Sequence, residues 1–327
     1  MEKEMKVIGE IPPPPAPNNT LADCKCLLCG EVGLAFVNKL RDDDTHYATR
    51  CNHCGHVQLA PLPTVEEDEE FYKKDKMLKN IFKDIQSLQT EEKLMYRMEL
   101  FVHEQADNLE KYLPPKSEQA DMRLIDIGTG FGWLPQFMRE KGYQMDGVEI
   151  NDEKRELCKQ RCGIEIFGWN FLKDEPEVME KAGYYDVLCM THVLEHISDP
   201  VLFLKRASIL LKPKGMLFID VPNFNDYYRE YQKEYSDWAF MRAHVNYFTP
   251  ETLTKVMERG GFSEMKVYGH QPHSIENAIH WWRNKAPDLR WHQFYLPEPL
   301  EWINKIYKAK IESEVKSTFI SAVGYKK

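Results

Sequence analysis

The chain has 327 residues, 43% of them hydrophobic, enough for one large domain with an appendage or for two domains with real cores. Fifty-two acidic against 43 basic side chains leave a formal net charge of −9 and a pI near 5.7, which argues against nucleic acid as the main partner. No apolar run approaches membrane-spanning length and residues 1–20 lack the apolar centre of a signal peptide, so no membrane partner is expected and the cytoplasm is the expected address.

Residues 1–20, with the run Pro12 to Pro15, read as a disordered or extended tail. Five of the eight cysteines then fall between positions 24 and 54. Cys26-Leu27-Leu28-Cys29-Gly30 and Cys51-Asn52-His53-Cys54-Gly55 are two matched knuckles, 21 residues apart. Each knuckle can bring two sulfurs to one ion, and Cys26, Cys29, Cys51 and Cys54 together satisfy tetrahedral zinc with no open position. In a reducing compartment such pairs bind metal rather than bridge. The expectation for 21–63 is therefore a zinc ribbon with one structural ion per chain, with Asp42-Asp43-Asp44 at its hairpin tip. Cys24 is a spare thiol, and His53 and His56 rank below the cysteines as ligands. Ribbons often grip nucleic acid, but residues 1–60 carry six Lys/Arg against eight Asp/Glu, a balance of −2.

From 64 to 118 the chain reads as a charged helical linker or lid, with Phe71, Ile81, Met98, Phe101 and Leu109 among its apolar positions. Pro114-Pro115 ends it. Tyr72 is the residue there expected to line a substrate cleft.

Beyond 119, strands and helices alternate, which implies a largely parallel sheet. Candidate strands are 122–127, 144–149, 163–167, 185–190, 216–221, 264–269 and 317–325. The first ends in Asp126-Ile127-Gly128-Thr129-Gly130-Phe131-Gly132 and opens a helix at about Leu134. Glycines at alternate positions let a ligand lie against bare backbone at a helix N-terminus. A dinucleotide fingerprint would need glycine where Trp133 stands. The second strand ends in Glu149, an acceptor-only carboxylate suited to both hydroxyls of a ribose. The fourth is followed by Thr191-His192-Val193-Leu194-Glu195-His196. The fifth follows the turn Pro213-Lys214-Gly215. Thr249-Pro250 marks a helix start and Gly260-Gly261 its end. The stretch 271–316, which holds Trp281, Trp282, Trp291 and Trp302, reads as an insertion that packs over the core. Cys158, Cys162 and Cys189 read as packing or surface residues.

The D-x-G-x-G-x-G loop with Glu149 resembles that of class I S-adenosylmethionine (SAM) methyltransferases, and Leu194-Glu195-His196 resembles the segment after their fourth strand. The resemblance implies a Rossmann-like α/β fold with a seven-stranded, mostly parallel sheet. It implies that Gly128, Thr129, Gly130 and Gly132 receive the methionine portion of SAM, with Asp126 orienting the loop and the ammonium. Glu149 would hold the ribose and Asn170 and Phe171 would bracket the adenine, with Ile150, Met190 and His192 on the same surface. The order ribbon, helical segment, SAM domain resembles the zinc-binding methyltransferases of deoxysugar and natural-product biosynthesis over roughly residues 22–265. In their sugar C-methylating members a tyrosine precedes a histidine by three residues, with a glutamate just before the histidine. Here those positions hold Met241, His244 and Ala243. Those enzymes also have a large C-terminal domain, for which this chain is too short. The expected reaction is accordingly O- or N-methylation of a small molecule such as a sugar, nucleotide-sugar or secondary metabolite, rather than C-methylation.

His244 is the expected general base and His196 its rival, with Tyr247 a substrate contact. Both imidazoles can take a proton from an acceptor near neutral pH. The competing readings are an RNA methyltransferase with the ribbon as grip and a non-catalytic scaffold. A steep salt slope in RNA binding would favour the former, and absent SAM binding the latter. The expected state is a monomer or homodimer.

Overall fold

The computed structural model describes residues 21, 23–64, 67, 91–115, 121–287, 296 and 298–327. The expected tail, most of the helical linker with Tyr72, and Trp291 lie outside the described residues.

Strands β1 (Leu34–Lys39), β2 (Tyr47–Cys51) and β3 (Val57–Ala60) form an antiparallel meander, with Asp42 to Asp44 in the β1–β2 turn as expected. Helix α1 (Glu91–Glu110) follows. Its Ala106 and Leu109, with Leu113 beyond it, are buried against Trp133, Leu134 and Phe137, so the helix lies on the α/β domain.

The main sheet begins with β4 (Arg123–Ile127), α2 (Trp133–Glu140), β5 (Gln144–Val148), α3 (Asp152–Cys162) and β6 (Ile166–Phe167). It continues through β7 (Tyr185–Thr191), α4 (Pro200–Ala207) and β8 (Leu211–Pro222). Two short helices, α5 (Tyr227–Tyr231) and α6 (Lys233–Ala239), lead to β9 (Asn246–Tyr247), α7 (Pro250–Arg259) and β10 (Phe262–His270). Helices α8 (Ile275–Asn284) and α9 (Glu301–Ser313) precede the last strand, β11 (Phe319–Lys326). The order across the seven-stranded sheet is β10-β11-β8-β7-β4-β5-β6, with β11 antiparallel to both neighbours and the pairs from β8 to β6 parallel. The expected fold is therefore present. Leu124, Ile125, Leu188, Leu217 and Ile219 are fully buried, as central strands covered on both faces require.

Local signals decide the helix ends. Asn151 and Asp199 accept the Lys154 and Leu202 amides at the starts of α3 and α4. Thr249 and Thr252 form a reciprocal capping box on α7, with Pro250 in its first turn. Two boundaries differ from expectation. The third strand shrinks to Ile166–Phe167, and β8 begins at Leu211, absorbing the Pro-Lys-Gly turn with Lys214 at φ 60°.

One strand pair joins the appendage to the α/β domain. Strand β9 adds to the ribbon edge, Val57 opposite Tyr247 and Gln58 opposite Asn246, so the ribbon sheet has four strands. The insertion forms α8 and α9. Trp281 is buried with Tyr228 and Tyr235, while Trp282 is 78% exposed.

Candidate active site

The sheet order reverses between β4 and β7, and in open α/β sheets ligands bind beyond the strand ends at such a point. The amides of Gly128 and Thr129 both donate to the Val148 carbonyl (2.8 and 3.1 Å), pinning the glycine loop to β5. Glu149 accepts the Gly130 amide on one oxygen and the Asn151 amide on the other, both at 2.9 Å. One buried carboxylate thus fixes two loops, and each oxygen keeps a lone pair for a ligand hydroxyl. Burial raises its pKa, against the pull of those amides and of Lys154 and Arg155.

The three glycines do different work. A Cβ on Gly128 would stand 2.5 Å from Val193 Cγ2, and one on Gly132 would stand 2.6 Å from Cys158 Sγ and 2.9 Å from Cys162 Sγ. A Cβ on Gly130 would meet nothing within 4 Å. Gly128 and Gly132 are therefore packing glycines, and Gly130 is where bare backbone opens to a ligand. Gly132→Ala, at φ 83°, combines left-handed strain with overpacking and should cost about 2–5 kcal/mol. Denaturant unfolding checks this, and a variant as stable as wild type would contradict the packing role.

Other expected cofactor residues are placed unevenly. Ile150 is 54% exposed beside Glu149, as an apolar cover for a flat ring would be. Asp126 is buried in β4 and accepts the Cys189 thiol at 3.7 Å; burial pushes its pKa well up. It reaches the loop through the strand rather than through an exposed carboxylate. Asn170 turns its carbonyl onto the Leu172 amide (3.0 Å). Phe171 and Met190 need correction as ligand-facing side chains. Phe171 packs edge-on against Phe203 and Trp169, and both residues sit in the core with no exposed face. Met190 is drawn there because β7 is central in the sheet.

Beyond β7 the titratable groups converge. His192 stands at φ 54°, and its amide donates to the Asp220 carbonyl (2.8 Å). Its ring lies between two buried acids, Nδ1 3.2 Å from Glu195 Oε1 and Nε2 3.8 Å from Asp220 Oδ2. Phe101 of α1 and Phe319 pack on it. Burial opposes the charged ring, but Glu195 and then Asp220 outweigh it and raise the His192 pKa. Asp220 accepts His270 Nδ1 (3.0 Å) and the Ser321 hydroxyl (2.6 Å), and its pKa is lowered although burial opposes this. Sequence reading passed over Asp220 and His270; an aspartate inside the apolar run Phe218 to Val221 was the available signal.

His196, His244 and Glu195 are brought together, their ligand-type atoms all within 4.8 Å of one another. His196 Nδ1 lies 2.6 Å from the Ala243 carbonyl. A carbonyl only accepts, so Nδ1 carries the proton and Nε2 of the neutral ring keeps its lone pair. The His244 ring packs on His196 (5.1 Å) and Tyr247 (5.9 Å). Burial, then the neighbouring His196, His192, Arg41 and Arg229, press His244 well below the ordinary histidine range. Tyr247 is corrected as a substrate contact. Its ring is buried and its hydroxyl closes on Met241, accepting the amide and donating to the carbonyl, both at 3.0 Å. Pairing with β3 turned it inward.

In the ribbon the Cys26–Cys54 and Cys29–Cys51 sulfurs stand 3.5 and 3.6 Å apart, and all four Sγ atoms lie within 4.8 Å of one another. Four thiolates about 2.3 Å from a tetrahedral zinc are separated by about 3.8 Å, so the donor set fits that ion. Gly30 and Gly55 close the knuckles at φ 81° and 76°. Gln58 ties the first knuckle to the sheet, accepting the Leu27 amide (2.7 Å) and donating to the Lys25 carbonyl (3.2 Å).

The reversal point, the glycine loop clamped by Glu149 and the open backbone at Gly130 define a class I SAM-dependent methyltransferase. The chain belongs to the family described as "Methyltransferase domain", whose model matches residues 96–267, more than half of its length. It is 24% identical over 176 residues to a ubiquinone biosynthesis O-methyltransferase of Coxiella burnetii, spanning 52% of this chain and 75% of that protein. The same-named protein of Colwellia psychrerythraea is 29% identical over 106 residues, 32% of this chain and 43% of that one. Among solved structures, a SAM-dependent methyltransferase from Archaeoglobus fulgidus superposes with a TM-score of 0.47 at 16% identity, covering 70% of this chain and 94% of that one. The family match begins beyond the ribbon. No described helix is long and apolar enough to cross a membrane.

Proposed function

We propose that the chain transfers a methyl group from SAM to an oxygen or nitrogen of a small molecule, a sugar, nucleotide-sugar or secondary metabolite. The relatives named as ubiquinone biosynthesis O-methyltransferases support a small acceptor. The observation that carries the reading is the Glu195, His196 and His244 cluster beside the glycine loop, linked to it where Val193 closes on Gly128. SAM supplies a methyl already activated on a sulfonium, so the protein's task is mainly alignment, worth up to about 7–11 kcal/mol. Gly130 and its neighbours hold the methionine portion, Glu149 accepts the ribose hydroxyls and Ile150 covers the base. His244 removes the acceptor's proton. His196 is the alternative, favoured by the ring orientation that the Ala243 carbonyl anchors. Cys26, Cys29, Cys51 and Cys54 hold a structural zinc. The ribbon forms the acceptor-side cover, and Tyr72 is the residue after it expected to contact the acceptor.

Glu149→Ala should lower SAM affinity about 100-fold or more, since two hydrogen bonds to a charged acceptor are worth about 1.5–3 kcal/mol each. Isothermal titration measures it, and undiminished binding would remove the ribose assignment. Labelled SAM incubated with metabolite extracts should yield one labelled small product. Label appearing in RNA instead would overturn the acceptor class.

A further inference from the structure

The segment between β8 and β9 carries an arginine two of whose nitrogens lack ordinary partners. Nε and Nη1 of Arg229, in α5, are buried with no hydrogen-bond acceptor among the described residues. Asp226, an acid whose charge acts on it, turns its oxygens to the Tyr228 amide (2.8 Å) and the Tyr235 hydroxyl (2.6 Å) and makes no hydrogen bond with those two donors. What surrounds the guanidinium is aromatic. Its Cζ stands 4.6 Å from the Phe240 ring centre, 4.9 Å from Phe224 and 5.8 Å from Tyr247. Such faces attract a cation, but phenylalanine rings offer no lone pair in the guanidinium plane, so the N–H groups remain unanswered.

Two further arginines meet at the same corner, where Asp42 and Asp226 are the acids. Arg50 of β2 also lies over Phe224 (5.1 Å), and Arg41 over Trp238 (4.3 Å). Arg41 and Arg229 both act on His244. Buried donors left open are costly unless hydrogen-bond acceptors arrive. A planar fork of donors matches two oxygens of a phosphate or carboxylate.

We propose that Arg229 is the receptor for an anionic group of the acceptor, a phosphate or a carboxylate, seated in the aromatic corner beside Tyr247 and His244. This rests on the reading of His244 as an acceptor-side residue. The aromatic rings hold the guanidinium plane, the acceptor supplies the oxygens its open donors lack, and the methylated atom is thereby set at a fixed distance from its anionic group. Acceptors lacking that group leave the donors unanswered and are discriminated against.

The test uses the full-length, zinc-loaded protein saturated with S-adenosylhomocysteine. It is titrated with inorganic phosphate, pyrophosphate and benzoate while the His244 ring signals are followed by NMR. At least one anion should bind and raise the apparent His244 pKa, because neutralising Arg229 removes one of the charges acting on that ring; His196, His192 and Arg41 are the others. Preference for the phosphates or for benzoate distinguishes the two sources. Arg229→Met should weaken binding about tenfold or more and abolish the pKa rise. Arg229→Lys keeps the charge without the fork, should fall between, and decides the matter if the methionine variant does not fold. Equal anion affinity in wild type and variants, or no anion binding by the wild type, would overturn the proposal. S-adenosylhomocysteine binding in the same samples keeps the readings apart: anion silence with that binding intact counts against Arg229 and leaves the methyltransferase.

Discussion

Cys51→Ser should leave the four-cysteine site without the zinc proposed for it, lower the melting temperature and nearly abolish methyl transfer, while SAM still binds. Structural zinc contributes about 10–16 kcal/mol of apparent binding energy to a small ribbon, comparable to or larger than the whole stability of a typical domain. The effect reaches the candidate base because the ribbon holds the segment around it. The Leu59 amide donates to Val245, the Arg41 amide to Phe240, and Asp42 accepts the Arg242 amide. Asn246 donates its amide to Ile197 (2.7 Å), which leaves its carbonyl to accept His56 Nε2 (3.0 Å). With the ribbon unfolded, the His244 segment loses these supports, and a shift of about 1 Å at such a site can cost ~10²-fold in rate. The SAM loop is built on β4, β5 and β7 and does not share them. Elemental analysis, SAM titration and transfer rate on the same preparations check the prediction. Retained stoichiometric zinc in the variant would refute the four-cysteine site; lost zinc with normal transfer would refute the coupling.

The readable parts of this chain were those whose chemistry is local. Cys26-x-x-Cys29 and Cys51-x-x-Cys54 announce a tetrahedral donor set at short spacing, and the sulfurs do converge. Asp126 to Gly132 and Glu149 belong to consecutive strand ends, so spacing alone brings them together, and Glu149 indeed clamps Gly130. Thr249-Pro250 marks a helix start by capping chemistry that needs no tertiary context. What was not legible depended on pairing between distant segments. Nothing in Asn246-Tyr247 says that it will become a fourth ribbon strand, and that pairing buries Tyr247 and converts it from substrate contact to anchor. Phe171 was misplaced for a similar reason, since whether an aromatic faces a ligand or Phe203 is settled by packing. Asp220 and Arg229 acquire meaning from His270, across the sheet, and from rings on three different segments. A one-dimensional pattern does not hold such neighbours.

His244→Ala should reduce single-turnover methyl transfer about 10²–10⁴-fold, the usual worth of a positioned base, with SAM affinity unchanged. The pH profile separates this from a structural role. In the free protein, burial and the neighbouring cationic groups depress the His244 pKa well below 6.5, so the ring is already neutral at pH 7. The acidic limb of kcat/KM assigned to His244 should therefore lie well below pH 6.5 and vanish in the alanine variant. A base of such low pKa is weak, and the acceptor can correct this. An anion at Arg229 removes one of the charges acting on the ring, raising its pKa in the bound complex toward the value that suits proton removal near neutral pH. The limb in kcat, which reports the bound state, should then lie above the limb in kcat/KM, and Arg229→Lys should narrow the gap. His196→Ala serves as the control. Its ring is fixed by the Ala243 carbonyl, so its loss should perturb both histidines and lower the rate without removing the His244 limb. If His244→Ala keeps the wild-type rate and profile, the base is His196, or the acceptor loses its proton without help from the protein.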